Sequence, residues 1–356
     1  MLRNNNALWF FVSVGVLASA SACGSDGDSG PGGGEQQCSD CAVPPAQPAN
    51  GVPGDGHGAV LAINLLDLAY ETASWKDTGY DIDGQKSTAE STAHCNLAEG
   101  AASYVKNDGN NGIDNSFGAN IVPVIKLLIP AFTTNTQDAI DEGSFTVILD
   151  IKDIGSGSDY VNLPASLYSG GVLGSSPAWD GNDEWPVLCE LMNDCKTTGT
   201  VQFPEATSTV QFPASYVAGG TWVSGTRRTV HLSLTLQGYS LPLLVNEAVL
   251  TAKLSGSPPT AATKGILAGV VEASKLVEDL FAIAGNFQTD LCDRNGTLSK
   301  SVENVILRAT DIMVDGTQDS SKQCDGISIG LNFAMRAVKL GAVLDKSPPP
   351  DDPCGN

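Results

Sequence analysis

The residues best suited to chemistry are oxygen donors in two glycine-containing stretches, residues 80–84 and 108–115. The candidate ligands are Asp81, Asp83, Asp108, Asn110 and Asp114. Calcium is a hard cation that takes about six to eight oxygen ligands, and glycine permits the tight turns of calcium loops. Neither stretch fits the EF-hand register, and aspartate and asparagine also form ordinary turns. The two stretches therefore favour plain structural turns, with a calcium site as the alternative.

A second candidate is the acidic loop between two tryptophans at residues 179–185. Its functional side chains are Trp179, Asp180, Asp183, Glu184 and Trp185. Tryptophan faces stack on sugar rings and carboxylates bind sugar hydroxyl groups, so the loop predicts a carbohydrate-binding face. A glycosidase needs two carboxylates about 5–10 Å apart across the scissile bond, usually from two strands. An ordinary surface loop with the tryptophans packed beneath it is the alternative, and we favour it over both binding and catalysis.

The motif G-x-S-x-G occurs at residues 326–330, with Ser328 at its centre. In α/β-hydrolases this serine is exposed on a sharp turn between a strand and a helix. Here apolar and polar residues alternate straight through the motif, and no helical pattern follows it. We therefore predict a strand, and we assign no catalytic residue in the chain.

The N-terminus predicts where the chain works. Arg3 precedes an apolar run at residues 7–20, which has the length of a signal peptide and is short for a membrane span. Small residues then meet Cys23, which resembles the bacterial lipoprotein signal. We expect residues 1–22 to be removed and Cys23 to carry the lipid anchor, with ordinary secretion as the alternative. Gly24 stands where an aspartate retains some lipoproteins at the inner membrane, which favours the outer membrane.

Eight of the nine cysteines remain after Cys23 is set aside. An even number in an oxidising compartment predicts up to four disulfides. Cys189 and Cys195 are close enough in sequence to close a small loop. Cys292 and Cys324 flank a predicted helix and are expected to join it to the following strand. Spacing alone does not pair the other four cysteines.

Charge limits the partners of the chain. The formal net charge is −21. This excess argues against nucleic acid and anionic lipid surfaces, because both are bound by lysine and arginine, and it favours cations. We expect contact with a membrane only through the N-terminal lipid, and a carbohydrate or a protein as the ligand.

The composition divides the chain into a tether, one domain and a tail. Residues 23–57 are rich in Gly, Ser, Asp and Pro and are expected to form a flexible tether. Residues 58–345 carry the periodic apolar patterns and are expected to form one β-rich domain. Residues 346–356 form a proline-rich tail.

Strict alternation marks strands at residues 230–237 and 327–335, and we expect the latter to lie beside a first strand at residues 59–68. Helical periodicity occurs at residues 120–140, 274–284 and 301–313. We therefore predict a mainly β fold, an antiparallel two-sheet sandwich of the jelly-roll type with about three accessory helices. An α+β layered fold is the alternative.

One resemblance accompanies these patterns. The signal ending in Cys23, the acidic tether, residues 80–84 (YDIDG), Cys95 and residues 112–118 (GIDNSFG) together resemble a group of uncharacterised lipoproteins from myxobacteria. The resemblance implies a place in the cell envelope, periplasmic or at the surface, and it implies no known activity. We expect a lipid-anchored module that binds a ligand or partner and is stabilised by calcium. A secreted hydrolase of polysaccharide or peptide and a structural envelope protein are the alternatives.

Overall fold

The computed structural model describes residues 40–68, 74–128, 131–193, 207–236, 239–344 and 354. Its strands are β1 (Gly58–Asp67), β2 (Thr146–Lys152), β3 (Tyr160–Gly170), β4 (Glu184–Leu188), β5 (Val210–Ala218), β6 (Thr221–Val223), β7 (Arg228–Leu236), β8 (Tyr239–Gly256), β9 (Pro259–Glu272), β10 (Gly326–Ala337) and β11 (Lys339–Leu344). Its α-helices are α1 (Val122–Leu128), α2 (Phe132–Asp141), α3 (Ala273–Ala284) and α4 (Thr297–Leu307).

Eight strands close into an antiparallel barrel in the order β3-β2-β1-β10-β9-β8-β6-β5, and β5 pairs back with β3. Strand β7 pairs with β8, while β4 pairs with β3 and runs parallel to β11. The predicted two-sheet sandwich is therefore wrong. Alternation predicts strands with one buried face, which a sandwich and a barrel both have. The two folds differ in whether the edge strands pair, and alternation carries no information about the pairing of β3 with β5. The expectation that the strand near residue 330 lies beside the first strand is confirmed, because β10 pairs with β1.

The barrel interior is filled by the apolar face of each strand. In β10 these inward residues are Ile327, Ile329, Leu331, Phe333 and Met335, which all belong to the main core. A cavity of about 30 Å³ remains, and its lining side chains are all apolar. An eight-stranded barrel is just wide enough for side chains to fill, so this interior serves as a core.

Two layers of chain cover opposite parts of the outer barrel wall. The apolar layer, residues 184–192 and 338–344, packs on β1, β2 and β3. The side chains buried between this layer and the barrel wall include Ala62, Ile148 and Tyr168 of the wall and Trp185, Val187, Met192 and Val343 of the layer. The acidic layer, residues 74–118 and 308–325, packs on β6, β8, β9 and β10. Its apolar contacts include Tyr80, Ile82, Val223, Val249, Ala268, Val270 and Ile312.

The acidic layer covers the polar face of β10, which the sequence pattern alone would leave in water. Ser328 is fully buried beneath it. The Asn115 side chain donates to the carbonyl oxygens of Thr78 and Gly330 at 2.9 and 3.1 Å. A Cβ atom on Gly330 would stand 2.2 Å from the Thr78 carbonyl oxygen, so this glycine lets the layer lie flat on the wall.

The helices lie in the β1–β2 and β9–β10 connections. Because β1 is antiparallel to both β2 and β10, these connections are at the same end of the barrel. The predicted helix at residues 120–140 is two helices, α1 and α2, preceded by a π-turn at Phe117–Ile121. The structure thus has four α-helices in its described part where about three were predicted. None of the described helices has the length and apolar character needed to cross a membrane.

The disulfides differ from the predicted pairing. Cys95 is bonded to Cys324, and Cys292 is bonded to Cys354. The expected bond between Cys292 and Cys324 is therefore wrong, because each of these cysteines has another partner. The first bond joins the two halves of the acidic layer. Cys189 is also disulfide-bonded, and Cys195 lies outside the described residues.

Part of the predicted tether is hydrogen-bonded to the domain. The N–H of Asp81 donates to the Ala42 carbonyl oxygen at 2.8 Å, and the hydroxyl of Tyr160 donates to Asp55 at 2.9 Å. Main-chain groups of Val52 also pair with β3. The composition of the tether predicts few large apolar side chains. The contacts with the domain do not require such side chains, because they are mostly main-chain hydrogen bonds. Cys23 and residues 1–39 lie outside the described residues.

Candidate metal centre

Three carboxylates of the acidic layer meet at one point. Oxygen atoms of Asp81, Asp83 and Asp114 lie within 4.8 Å of one another, and we call these residues the aspartate triad. Asp81 and Asp114 are buried, and Asp83 is half-buried. Calcium–oxygen distances are about 2.3–2.6 Å, so opposite ligands of one ion lie up to ~5 Å apart. The triad therefore has the spacing of ligands to a single cation.

Main-chain N–H groups hold the triad in place. Asp114 Oδ2 accepts from the N–H of Ile82 at 2.6 Å, and Asp81 Oδ1 accepts from the N–H of Gly84 at 2.7 Å. The negative charge of Asp83 also raises the pKa of Asp81. Ionising both of these neighbouring carboxyl groups is unfavourable unless a proton or a cation lies between them. A bound cation can take the place of that proton.

Two further aspartates add negative charge to the triad. Asp108 accepts a hydrogen bond from the N–H of Ser87. Asp311 Oδ1 accepts from the N–H of Ser328 at 2.8 Å, and its Oδ2 accepts from the serine hydroxyl at 2.5 Å. Both carboxyl groups interact with the charge of Asp83. The triad thus lies within a group of five aspartates, which we call the aspartate cluster.

The protein raises the pKa of every carboxyl group in the cluster, chiefly by burial. Burial, with the charge of Asp83, raises the pKa of Asp81 to about 6 and that of Asp311 to about 7. The same causes raise the pKa of Asp108 to about 8. Burial also raises the pKa of Asp83 and holds that of Asp114 well above its ordinary value. Near neutral pH the cluster therefore lacks the positive charge that would balance its ionised carboxylates.

The nearest basic side chains do little to neutralise the cluster. Arg227 donates to the carbonyl oxygens of Ile82 and Asp81, at 2.7 and 3.4 Å, and its guanidinium is thus engaged by the main chain. Burial lowers the pKa of His94, which favours its neutral form. Lys106 donates to the Ser91 carbonyl oxygen at 2.9 Å. A dication is the group that this arrangement of oxygens would accommodate.

The two halves of the acidic layer are fixed together around the cluster. The Gln318 side chain donates to Asp83 at 2.8 Å and to the Asp311 carbonyl oxygen at 3.0 Å, and it accepts from the N–H of Cys95 at 2.9 Å. Beside it, the Cys95–Cys324 disulfide joins the two segments covalently. Residues 74–118 and residues 308–325 therefore form one layer, although about two hundred residues separate them in sequence.

Four of the five residues predicted as calcium ligands are in the cluster, and Asn110 is not. The Asn110 side chain is exposed and donates to Asp77 at 2.6 Å. Asp311 and Gln318 were missed, because nothing in the local sequence links them to residues 80–115. The pairing of Cys95 with Cys324 is the signal that would have found them.

The side chains of the acidic tryptophan loop mainly pack against one another and form hydrogen bonds within the loop. Trp185 is fully buried, and the ring of Trp179 packs against it at 5.4 Å between centroids. Asp183 accepts from the N–H groups of Ala178 and Trp179 at 3.0 and 2.8 Å, and Asp180 accepts from Asn182 at 2.9 Å. Glu184 is exposed at the start of β4. The loop therefore offers no face of Trp185 to a sugar.

Two other candidates fail on geometry. Ser328 lies inside a straight strand, fully buried and hydrogen-bonded to Asp311, so a substrate has no access to its hydroxyl. His94 lies close to the sulfur atoms of Cys95 and Cys324, which suggests a metal site. Those sulfurs are joined in a disulfide, and a disulfide lacks the thiolates that zinc requires.

No protein-family model matches the chain, and no curated protein and no solved structure matches it either. The resemblance to the uncharacterised myxobacterial lipoproteins stays a prediction. The chemistry of the aspartate cluster is therefore the main guide to function.

Proposed function

We propose that this chain is a calcium-stabilised, ligand-binding barrel of the bacterial cell envelope. The observation that carries the calcium site is the aspartate triad, whose oxygens lie within 4.8 Å of one another inside a cluster of five aspartates. Calcium would be held by Asp81, Asp83 and Asp114, with Asp108 beside them. The ion would neutralise the buried charge and tie the acidic layer to the barrel wall.

The donor set fits calcium better than other metals. The triad and Asp108 supply carboxylate oxygens, which are hard ligands, and no thiolate or free imidazole competes with them among the described residues of the cluster. Magnesium demands octahedral geometry at about 2.0–2.1 Å, whereas calcium accepts irregular sets of oxygens. We expect calcium to be preferred.

The cellular part of the proposal rests on the N-terminal signal. Lipidation of Cys23 would hold the barrel at the outer membrane, periplasmic or at the surface, through the lipid alone. Millimolar calcium outside the cytoplasm would suit an ion site of moderate affinity. The proposal assigns no catalytic residue and describes a binding module.

Thermal unfolding of the purified protein, with calcium and with chelator, tests the calcium site. Ion at 100 times its dissociation constant adds about 2.7 kcal/mol to the free energy of unfolding. In a domain of this size that corresponds to a rise of several degrees in Tm. The double substitution Asp83→Asn and Asp114→Asn is expected to remove the rise. The amide oxygen introduced at position 114 can still accept the hydrogen bond from the N–H of Ile82, so the variant should fold.

The matched control is Asp180→Asn, which removes an exposed carboxylate from the tryptophan loop. It should keep the full calcium-dependent rise in Tm. An unchanged Tm of the wild type in calcium would reject the site. So would a rise that persists in the double variant, because the ion would then bind elsewhere.

A further inference from the structure

A surface pocket adjoins the aspartate cluster and has a different chemistry. Its volume is about 370 Å³, within the range of small-molecule sites. Asp108 and Ser87 line it on the side of the cluster, and Trp75 and Tyr104 contribute aromatic rings to its lining. Asn107 and Asn120 add side-chain amides. The pocket thus combines aromatic surface with neutral donors and acceptors.

The exposure of two side chains indicates a binding surface. Tyr104 is 62% exposed, so most of this aromatic side chain is open to solvent. Ser87 is only 6% exposed, and its hydroxyl has no hydrogen-bond partner among the described residues. An unsatisfied buried hydroxyl costs about 1–3 kcal/mol. That hydroxyl lies beneath the pocket surface, so Ser87 shapes the wall beside Asp108, and the open Tyr104 ring is the group that meets a ligand.

The backbone around the pocket is closely built. A Cβ atom on Gly109 would stand 2.6 Å from the Lys76 carbonyl oxygen, so the two walls touch at a position that only glycine fits. The Lys76 ammonium lies 5.5 Å from the centre of the Trp75 ring. The Asn120 amide donates to Ser116 Oγ at 2.9 Å, which fixes its orientation. The lining groups are therefore held in place before any ligand arrives.

The lining excludes most other classes of ligand. A phosphate or nucleotide would face the Asp108 carboxylate with one lysine to balance it, beside a cluster of four more aspartates. A purely apolar ligand would leave the carboxylate, amides and hydroxyls of the pocket without partners. A neutral polyhydroxylated ligand can stack on the open Tyr104 ring and exchange hydrogen bonds with Asp108 and the two asparagines.

We infer that this pocket binds a sugar ring of a carbohydrate. Tyr104 supplies the open stacking face, with Trp75 and the Lys76 ammonium over its ring beside it, and Asp108 and the two asparagines bind hydroxyl groups. The inference rests on the ligand-binding part of the proposed function, and Asp108 is the residue that the pocket shares with the cation site. It also moves the carbohydrate site from the tryptophan loop, where Trp185 is buried, to the opposite layer of the barrel.

Titration with neutral monosaccharides tests the inference. The probes are methyl α-glucoside, methyl β-galactoside, methyl α-mannoside and N-acetylglucosamine, followed by saturation-transfer NMR and tryptophan fluorescence. We expect at least one probe to bind saturably, and Tyr104→Ala to weaken it about 10-fold. Leu127→Ala removes an exposed apolar side chain that does not line the pocket and should leave the affinity unchanged.

The same titration on the Asp83→Asn, Asp114→Asn double variant separates the two proposals. We expect this variant to bind the sugar and to lack the calcium-dependent rise in Tm. Absence of saturable binding by all four probes would overturn the inference and leave the calcium site intact. Binding that survives Tyr104→Ala, or that the double variant loses while folded, would also overturn it.

Discussion

The two layers on the outside of the barrel differ in how the buried carboxylate groups at the barrel wall are neutralised. Each buries carboxylate groups against the barrel wall. On the barrel wall beneath the apolar layer, Asp150 of β2 is 2% exposed and forms an ion pair with Lys152 at 2.6 Å. In the acidic layer, five aspartates cluster, and the neighbouring Arg227 donates to main-chain carbonyl oxygens. The carboxylate beneath the apolar layer has its counter-charge on the same strand, Lys152. The carboxylates of the acidic layer depend on positive charge from solution.

The difference indicates which layer responds to conditions. Trp185 and its apolar neighbours gain their stability from burial, which ions do not change. The aspartate cluster gains stability only when protons or a cation neutralise it. Calcium and reduction of the Cys95–Cys324 disulfide should therefore act on the acidic layer and spare the apolar one.

The largest expected effect is in the apolar layer. Trp185→Ala removes a fully buried ring, together with the hydrogen bond that its indole nitrogen donates to the Gly171 carbonyl oxygen at 2.7 Å. We expect a loss of about 3–5 kcal/mol in the free energy of unfolding, equal in calcium and in chelator. Denaturant unfolding in both buffers measures it. A loss that differs between the buffers would mean that the two layers are coupled.

The next effect concerns the bond between the two halves of the acidic layer. Replacing Cys95 and Cys324 with serine should cost about 2–5 kcal/mol and reduce the calcium-dependent rise in Tm. The rise depends on the bond because residues 308–325 would no longer be held against the triad. Replacing Cys292 and Cys354 removes a disulfide outside this layer and serves as the control. Equal calcium responses in both variants would separate the disulfide from the ion site.

A smaller effect is expected from pH in the presence of chelator. The folded-state pKa values of Asp81, Asp108 and Asp311, about 6, 8 and 7, are above the unfolded values near 3.8. Between these limits the folded chain holds more protons, so its stability falls as pH rises. Asp81 alone should contribute a loss of about 1–2 kcal/mol between pH 5 and pH 8, and Asp108 and Asp311 add to it in the same direction.

Calcium should reduce this loss, because the ion replaces the displaced protons. The Asp83→Asn, Asp114→Asn double variant should also show a shallower dependence in chelator, since fewer charges repel one another. Stability that rises from pH 5 to pH 8 in chelator would contradict the unfavourable charge of the cluster. Chemical denaturation across the pH range measures all three profiles.

The sequence predicts individual strands better than it predicts their arrangement. The alternation at residues 327–335 correctly marks the inward face of β10, because a single strand determines it. Closure of the barrel depends on pairing between the distant strands β3 and β5. The alternating pattern of single strands therefore fits a sandwich and a barrel equally well. The polar face of β10 is buried because another part of the chain covers it, and the alternation of one strand carries no information about such a cover.

The same limit applies to the aspartate cluster. Asp81, Asp83 and Asp114 stand out because oxygen donors and glycines recur within a short stretch. Asp311 lies about two hundred residues further along the chain, and the Cys95–Cys324 disulfide and Gln318 join its segment to theirs. Eight cysteines allow about 105 complete pairings, and spacing does not choose among them. Local composition thus finds the part of the site that is local.

The smallest effect separates composition from geometry within the acidic layer. Asn110 and Asp108 are two residues apart, and their spacing makes them equal candidates as ligands. In the fold, Asn110 is exposed and bonded to Asp77, while Asp108 interacts with the charges of Asp83 and Asp311. Asn110→Ala should change the free energy of unfolding by less than about 0.5 kcal/mol and leave the calcium-dependent rise in Tm unchanged. Asp108→Asn should lower that rise, because it removes a charge that attracts the ion. If Asn110→Ala lowers the calcium-dependent rise in Tm as much as Asp108→Asn does, Asn110 also contributes to the ion site. Sequence spacing would then be a better guide to the ligands than the positions of the two side chains in the fold.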